Sequence, residues 1–375
     1  LGVPLFLALR EIRAARGRFL LMGLVVMLVA ALVGIVSGFT TGLGNDTVSA
    51  LRALPATHVA FAPGAKSDQF NRSLVDASTV ARWRERPGVE AAPLGVTIAR
   101  GTTDRGLEID MAAFGVEPGT FPAPPVRRGT GLDAARPGLV VSGKLASDGV
   151  RVGDTVTVDR LGLKLPVTGV TDDLSYGHVP AVYLPLDAWR AIRFGVPGAA
   201  TAPDRLPQDV SGVALRARPG ADLAGADRAL GTLSLPMSKV LEAAPGYKGE
   251  RVTMTSIQVF LYLIAPLIVG AFFAVWTVQR APELALLRAI GASRRRLLSY
   301  TVLQAALVVA AGTVAGGALA LATGLLLGAA VPFSLPAGTL AGTLAAVALV
   351  GLAGTCLTLR RVTTPDPLTM LGAAR

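Results

Sequence analysis

Three stretches of the chain run without a single Asp, Glu, Lys or Arg: residues 19–45, 252–279 and 297–359. A helix rises ~1.5 Å per residue, so crossing a hydrocarbon core of ~30 Å takes ~20 residues. The first two stretches each hold one span, and the third is long enough for two. The pattern predicts four transmembrane helices near residues 19–39, 257–278, 299–328 and 338–357. Between the last two, "VPFSLPAG" (331–338) carries Pro332 and Pro336, which break a helix there. Core helices of a soluble protein alternate with polar faces and do not run this far uncharged. The first stretch exceeds the ~7–15 residues of a signal-peptide core, and no A-x-A site follows it, so it reads as a retained anchor. The chain opens on Leu1 rather than Met, and a few preceding residues are expected.

Between the first and second spans the pattern changes. Short runs with strand character appear at "HVAFAP" (58–63), "GVTIARG" (95–101), "IDMAAFGV" (109–116), "GLVVSG" (138–143), "DTVTVD" (154–159), "LKLPVTGVT" (163–171) and "PAVYLPL" (180–186). Apolar residues recur at helical spacing in "SLVDASTVARWRE" (73–85) and "DLAGADRALGTL" (222–233). The Pro/Gly-rich segment 117–131 reads as a surface loop. About 210 residues are enough for an independent core. The fold class expected is membrane α plus α/β: four transmembrane helices, with a large extracytoplasmic mixed α/β domain between spans 1 and 2. The domains divide as 1–42, 43–252 and 253–375.

Composition agrees with a membrane protein: 51% hydrophobic, 16% charged, mean hydropathy +0.54. The placement of arginine gives the orientation. Arg10, Arg13, Arg16 and Arg18 precede span 1; Arg280, Arg288, Arg294, Arg295 and Arg296 separate spans 2 and 3; Arg360 and Arg361 follow span 4. The turn between spans 3 and 4 is uncharged. By the positive-inside rule, both termini and the 281–298 segment face the cytoplasm, and residues 43–252 face outward. With Arg375, the cytoplasmic pieces hold 12 arginines against Glu11, Glu283 and Asp366, or +9 of the chain's +11. The basic pI therefore reflects topology and does not indicate a nucleic-acid partner. The single cysteine, Cys356, falls inside span 4, so no disulfide staples the outer domain.

Catalytic chemistry finds little support. "GLVVSGKL" (138–145) fits the phosphate-loop pattern G-x-x-x-x-G-K but puts Leu145 where Ser or Thr must reach magnesium, and it lies on the outer side. It reads as a strand and turn, and no ATPase site is expected in this chain. His58 and His178 show no partner pattern for metal or nucleophilic chemistry and read as polar residues at strand edges. No catalytic or metal-ligating residue is assigned, and no intrinsic cofactor.

The segment "APELALLRAIGASRRRLL" (281–298) stands apart. Pro282 suits the first helical position, Glu283 the positive end of the dipole, Arg288 the last turn and Gly291 a left-handed stop. Leu284, Leu287 and Ile290 share one face, and Ser293 can cap the helix that follows. The spacing predicts a rigid, capped surface helix over 281–292. "ELALLRAIGASRRRLL" resembles the cytoplasmic coupling segment of the FtsX/MacB-like permeases of ABC transporters. "GLVVSGKLASDGVRVGDTVTV" (138–158) resembles their outer-domain core, and the order of one span, a large outer domain and three spans matches the family, giving a type VII permease-like architecture. The resemblance implies a permease homodimer, a separate ABC ATPase at the cytoplasmic face carrying ATP and magnesium, and ATPase coupling through Glu283, Leu284, Leu287, Arg288, Gly291 and Ala292.

Within that family, "LALREIRAARGRFLLMGLVVMLVAALVGIVSGFTTGL", "ATHVAFAPGAKSDQFNRSLV" (56–75) and "APGYKGERVTMTSIQVFLYLI" (244–264) resemble heme-exporter permeases of HrtB type. This implies extrusion of a membrane-soluble substrate, heme, from the bilayer. Glu250, Met254 and Tyr262 carry ligand-capable side chains near the outer end of span 2, and Lys248 or Arg251 could pair with propionates. Two other readings stand beside it: a mechanotransmitting FtsX-like permease, or an exporter of a lipid, lipoprotein or antimicrobial peptide. Four spans are too few to enclose a channel. Gly34, Gly38 and Gly42 in span 1, with Gly312, Gly316, Gly324 and Gly328 in span 3, permit close helix contact in the lipid.

Overall fold

A computed structural model of the protein describes residue 10 and residues 16–64, 69–133, 137–195, 206–279, 293–328 and 331–362. The chain divides into two units: Leu43–Arg251, and Leu1–Gly42 with Val252–Arg375.

In the first unit the described residues form an 11-stranded sheet, ordered β11-β1-β10-β2-β3-β9-β5-β7-β4, with β6 pairing β2 and β7, and β8 pairing β9. The strands are β1 (His58–Phe61), β2 (Val89–Thr103), β3 (Glu108–Val116), β4 (Arg128–Gly129), β5 (Leu139–Val141), β6 (Thr155–Val158), β7 (Leu163–Val170), β8 (Ser175–Tyr176), β9 (Val179–Pro185), β10 (Gly212–Ala217) and β11 (Leu233–Pro236). Both faces of the sheet are covered, so its central strands are buried on both sides. On β3, Ile109, Met111 and Ala113 belong to one core and Ala112, Phe114 and Val116 to the other, the period-2 division that pleating imposes. Trp83 and Trp189 anchor the first core. The Trp189 ring lies so close over β2 and β3 that only glycine fits beneath it: a Cβ at Gly95 or Gly115 would stand 2.3 or 2.4 Å from its atoms.

The second core takes in the end of α1 (Arg16–Ala53). Val48, Ala50, Leu51 and the following Leu54 are buried in it together with Tyr247. The first helix thus runs past the span predicted at 19–39, because an apolar stripe resumes after Gly44 and is buried on the sheet. The helix α2 (Gln69–Arg72) and then α3 (Ala77–Arg84), α4 (Gly143–Ser147), α5 (Leu186–Phe194), α6 (Leu223–Leu230) and α7 (Met237–Val240) complete this unit.

The other unit holds the first part of α1 together with α8 (Tyr247–Gln279, from Val252), α9 (Arg294–Leu327) and α10 (Ala337–Val362). Among the described residues, three helical stretches, Arg16–Ala53, Tyr247–Trp276 and Thr301–Leu327, are long and apolar enough to cross a membrane, and Ala337–Leu349 is a shorter apolar run. Residues 331–336 are non-helical, where the two prolines stand. The glycine stripes pack within the chain. A Cβ on Gly316 would meet the Met27 carbonyl at 2.5 Å, one on Gly312 would meet Val26 at 2.8 Å, and one on Gly34 would meet Ala320 at 2.9 Å. Gly38 and Gly324 both lie against the Phe333 ring, and the Gly38 carbonyl accepts a hydrogen bond from the Ser334 amide at 3.1 Å. Phe19, Met22 and Val26 of α1 share an apolar cluster with Val269, Phe273 and Trp276 of α8 and with Ala305, Val308 and Val309 of α9.

Candidate functional site

The polar residues at the sheet-side end of α1 gather a set of charged groups in the Leu43–Arg251 unit. Its centre is Asp46, whose Oδ1 accepts from the Lys144 ammonium and whose Oδ2 lies 3.2 Å from His178 Nδ1. His178 Nε2 is 3.4 Å from Glu250 Oε2 on the first turn of α8. The Thr47 hydroxyl, itself wholly buried, stands 2.9 Å from the same Glu250 oxygen and 3.4 Å from His178 Nε2. Arg52, one turn and a half further along α1, donates to Asn45 and reaches the Tyr247 hydroxyl at 3.5 Å.

Each side chain arrives by a local route. Lys144 follows Ser142, whose buried hydroxyl accepts from the Lys144 amide at 3.3 Å and the Leu174 amide at 2.9 Å and so fixes the start of α4. The phosphate-loop look-alike is thus a strand and a one-turn helix whose lysine is spent on Asp46. His178 sits with Gly177 at the tip of the β8–β9 hairpin. Tyr176 faces Val179 in the register, and both tip residues have positive φ, 60° and 66°. That is the two-residue type I′ connection. Backbone bonds seat the hairpin on α1: the Gly177 amide donates to the Thr47 carbonyl at 2.9 Å, and the Ser175 amide to Ser49 Oγ at 2.8 Å. His178, read from sequence as an unpartnered strand-edge residue, therefore has two carboxylate partners. Their sequence separation of 132 and 72 positions hid them; the legible signal was a Gly-His pair between two strand-like runs.

The residues predicted to bind substrate fall along the first turns of α8. Lys248 and Arg251 are exposed, Met254 is half-buried, and Glu250 is held as described, its side chain 19% exposed. Tyr262 is half-buried and packs on the cluster of Ala30, Val33 and Val347. Glu250, Met254, Gln258 and Tyr262 follow at four-residue spacing on one helix face. Gln258 Nε2 lies 3.4 Å from Ser37 Oγ, which in turn is 3.4 Å from Thr343 Oγ1. The opposite face, with Val252, Val259, Phe260, Leu263 and Leu267, is exposed and apolar. The predicted coupling residues Glu283, Leu284, Leu287, Arg288, Gly291 and Ala292 lie outside the described residues.

Comparison with known proteins covers nearly the whole chain. Residues 19–233 match the MacB-like periplasmic core domain family, and residues 255–367 match the FtsX-like permease C-terminal family. A Staphylococcus haemolyticus protein named for hemin transport, the permease HrtB, is 22% identical over 98% of this chain and 99% of its own length. An uncharacterized ABC transporter permease of Mycobacterium bovis is 28% identical over the same shares of the two chains. Among solved structures, the periplasmic region of MacB from Actinobacillus actinomycetemcomitans aligns with 52% of this chain and 93% of its own, at 11% identity and a TM-score of 0.37.

Proposed function

We propose, because the chain belongs to the family of FtsX/MacB-like ABC transporter permeases, that it is the membrane subunit of an exporter driven by a separate ABC ATPase and that its substrate is heme taken from the bilayer. The observation that carries the reading is the succession of the two family matches along one chain, core domain first and FtsX-like part second, in relatives that share its full extent. The substrate assignment draws on the name of the staphylococcal relative and on α8. An amphipathic macrocycle favours the interface, where its ring meets lipid and its propionates meet cations. Exposed Lys248 and Arg251 supply cations at the start of α8, and Met254 and Tyr262 supply apolar, ligand-capable side chains further along it.

In this reading the protein is a homodimer with four spans per subunit, both termini in the cytoplasm and residues 43–252 outside. Closure of the two ATPase subunits pushes the 281–292 helices, and the stiff helices carry that movement outward. A substrate entering sideways from the outer leaflet is expelled without a continuous channel. The site is tested by titrating the purified permease with heme and following the Soret band, in wild type and in a Glu250→Ala, Met254→Ala, Tyr262→Phe triple variant. Saturable binding in wild type, weakened tenfold or more in the variant, is the expected result. Equal affinity in both moves the site elsewhere, and absence of saturable binding in wild type rejects heme as the substrate.

A further inference from the structure

The second residue of a type I′ turn wants glycine or asparagine, because a left-handed backbone costs any branched or bulky side chain. This chain puts histidine there, at φ 66°. A residue held in an unfavourable conformation by its surroundings points to a role for its side chain. The side chain in question reaches two helices at once: Nδ1 to Asp46 on α1, and Nε2 to Glu250 on α8.

From this we infer that His178 is a positioning residue, a clasp that ties the sheet-side end of α1 to the first turn of α8 and both to the β8–β9 hairpin, so that the two helix ends move with the sheet as one piece. The ring reaches both helices when it carries both N–H groups. With two N–H groups the ring donates to Asp46 through Nδ1 and pairs as a cation with Glu250, 3.4 Å from Nε2. With one, Nδ1 donates to Asp46 and α1 stays bonded to the hairpin, while Glu250 is held from α1 by the Thr47 hydroxyl, which donates to it at 2.9 Å. Lys144 balances Asp46 from α4, so the clasp joins four elements: two long helices, one hairpin and the α4 turn. Beneath it, the Gly177 and Ser175 amides make the backbone seat on Thr47 and Ser49. The turn and the clasp therefore make opposite demands on residue 178: the backbone prefers glycine, the helices need the ring.

That opposition supplies the test. His178→Gly and His178→Asn both suit the left-handed backbone better than histidine, so neither endangers the turn, and neither spans from Asp46 to Glu250. Hydrogen exchange is measured by mass spectrometry on the full-length permease in detergent, without substrate or ATPase. If His178 is the clasp, amides of residues 175–179, 46–51 and 248–253 exchange at least tenfold faster in both variants. If the histidine is only a tolerated turn residue, exchange in these segments is unchanged or slower in His178→Gly, and the inference is overturned. The clasp rests on the Leu43–Arg251 unit alone, so this result stands whatever substrate the permease proves to carry.

Discussion

Asp76 shows how a single polar side chain contributes to the stability of the Leu43–Arg251 unit. It caps α3: its carboxylate accepts from the Thr79 amide at 2.9 Å and the Thr79 hydroxyl at 2.8 Å, and the Ser78 hydroxyl also donates to it. These bonds, that of Ser78 first and those of Thr79 next, hold its carboxyl well below the ordinary 3.8. Because the folded state prefers the charged form, the cap contributes fully above about pH 4 and is lost as acid protonates it. Asp76→Ala is expected to cost about 1 kcal/mol and Asp76→Asn only part of that. Thermal unfolding at pH 7 checks both values, and the gap between wild type and Asp76→Ala should narrow as the pH is taken below 4. An equal gap at pH 7 and at pH 3 would deny the charge its part in the cap. The helix itself was legible in the apolar spacing of 73–85, though its cap was not read; the Asp46–His178–Glu250 set was not legible, since nothing local marks residues that meet only after the sheet has formed.

At the scale of elements, the glycines of α1 and α9 set how closely two helices approach. Lipid tails offer no hydrophobic drive to pack apolar helices together, so contact depends on shape. Gly316→Leu would drive a side chain into the α1 backbone at Met27 and Ala31. A cost of roughly 1–3 kcal/mol is expected for such overpacking, seen as a lower unfolding midpoint in detergent. Gly342→Ala, where a Cβ meets open space on α10, should be neutral or slightly stabilising; equal destabilisation by the two changes would argue against the packing. Small-residue spacing announced close contact but not its partner. Long uncharged runs likewise announced helices well but not their ends: α1 continues to Ala53 through Asp46 and Arg52 because its last turns are buried on the sheet. Strands bounded by turn residues were readable in β1, β3, β5, β6, β7 and β9. By contrast, β10 and the first half of β2 escaped notice, since "GVALRA" and "VEAAPL" are rich in alanine, a poor strand former that is accepted here because the two segments pair with each other and β10 pairs with β1 on its other side.

Across the whole molecule, the family assignment divides the work between chains, and the division can be measured. A permease of this family relies on an ATPase partner, and this chain's one phosphate-loop look-alike commits its lysine to Asp46. The purified chain alone is therefore expected to hydrolyse ATP negligibly and to gain activity only with its ABC ATPase. The 281–292 segment is where the two should meet: an amphipathic stretch with Pro282 at its start, Arg288 in its last turn and Gly291 at its stop. Arg288→Glu reverses a charge that suits the negative end of the helix expected there and the proposed docking surface. Gly291→Pro removes the residue best able to take the left-handed stop. In the reconstituted complex, both changes should leave the unfolding midpoint of the permease within a few degrees of wild type while lowering heme efflux per ATP hydrolysed at least tenfold. Measuring hydrolysis and efflux on the same vesicles separates the outcomes. A loss of efflux with hydrolysis retained places the coupling in this segment, whereas wild-type efflux in both variants would remove the segment from the path by which ATP drives transport.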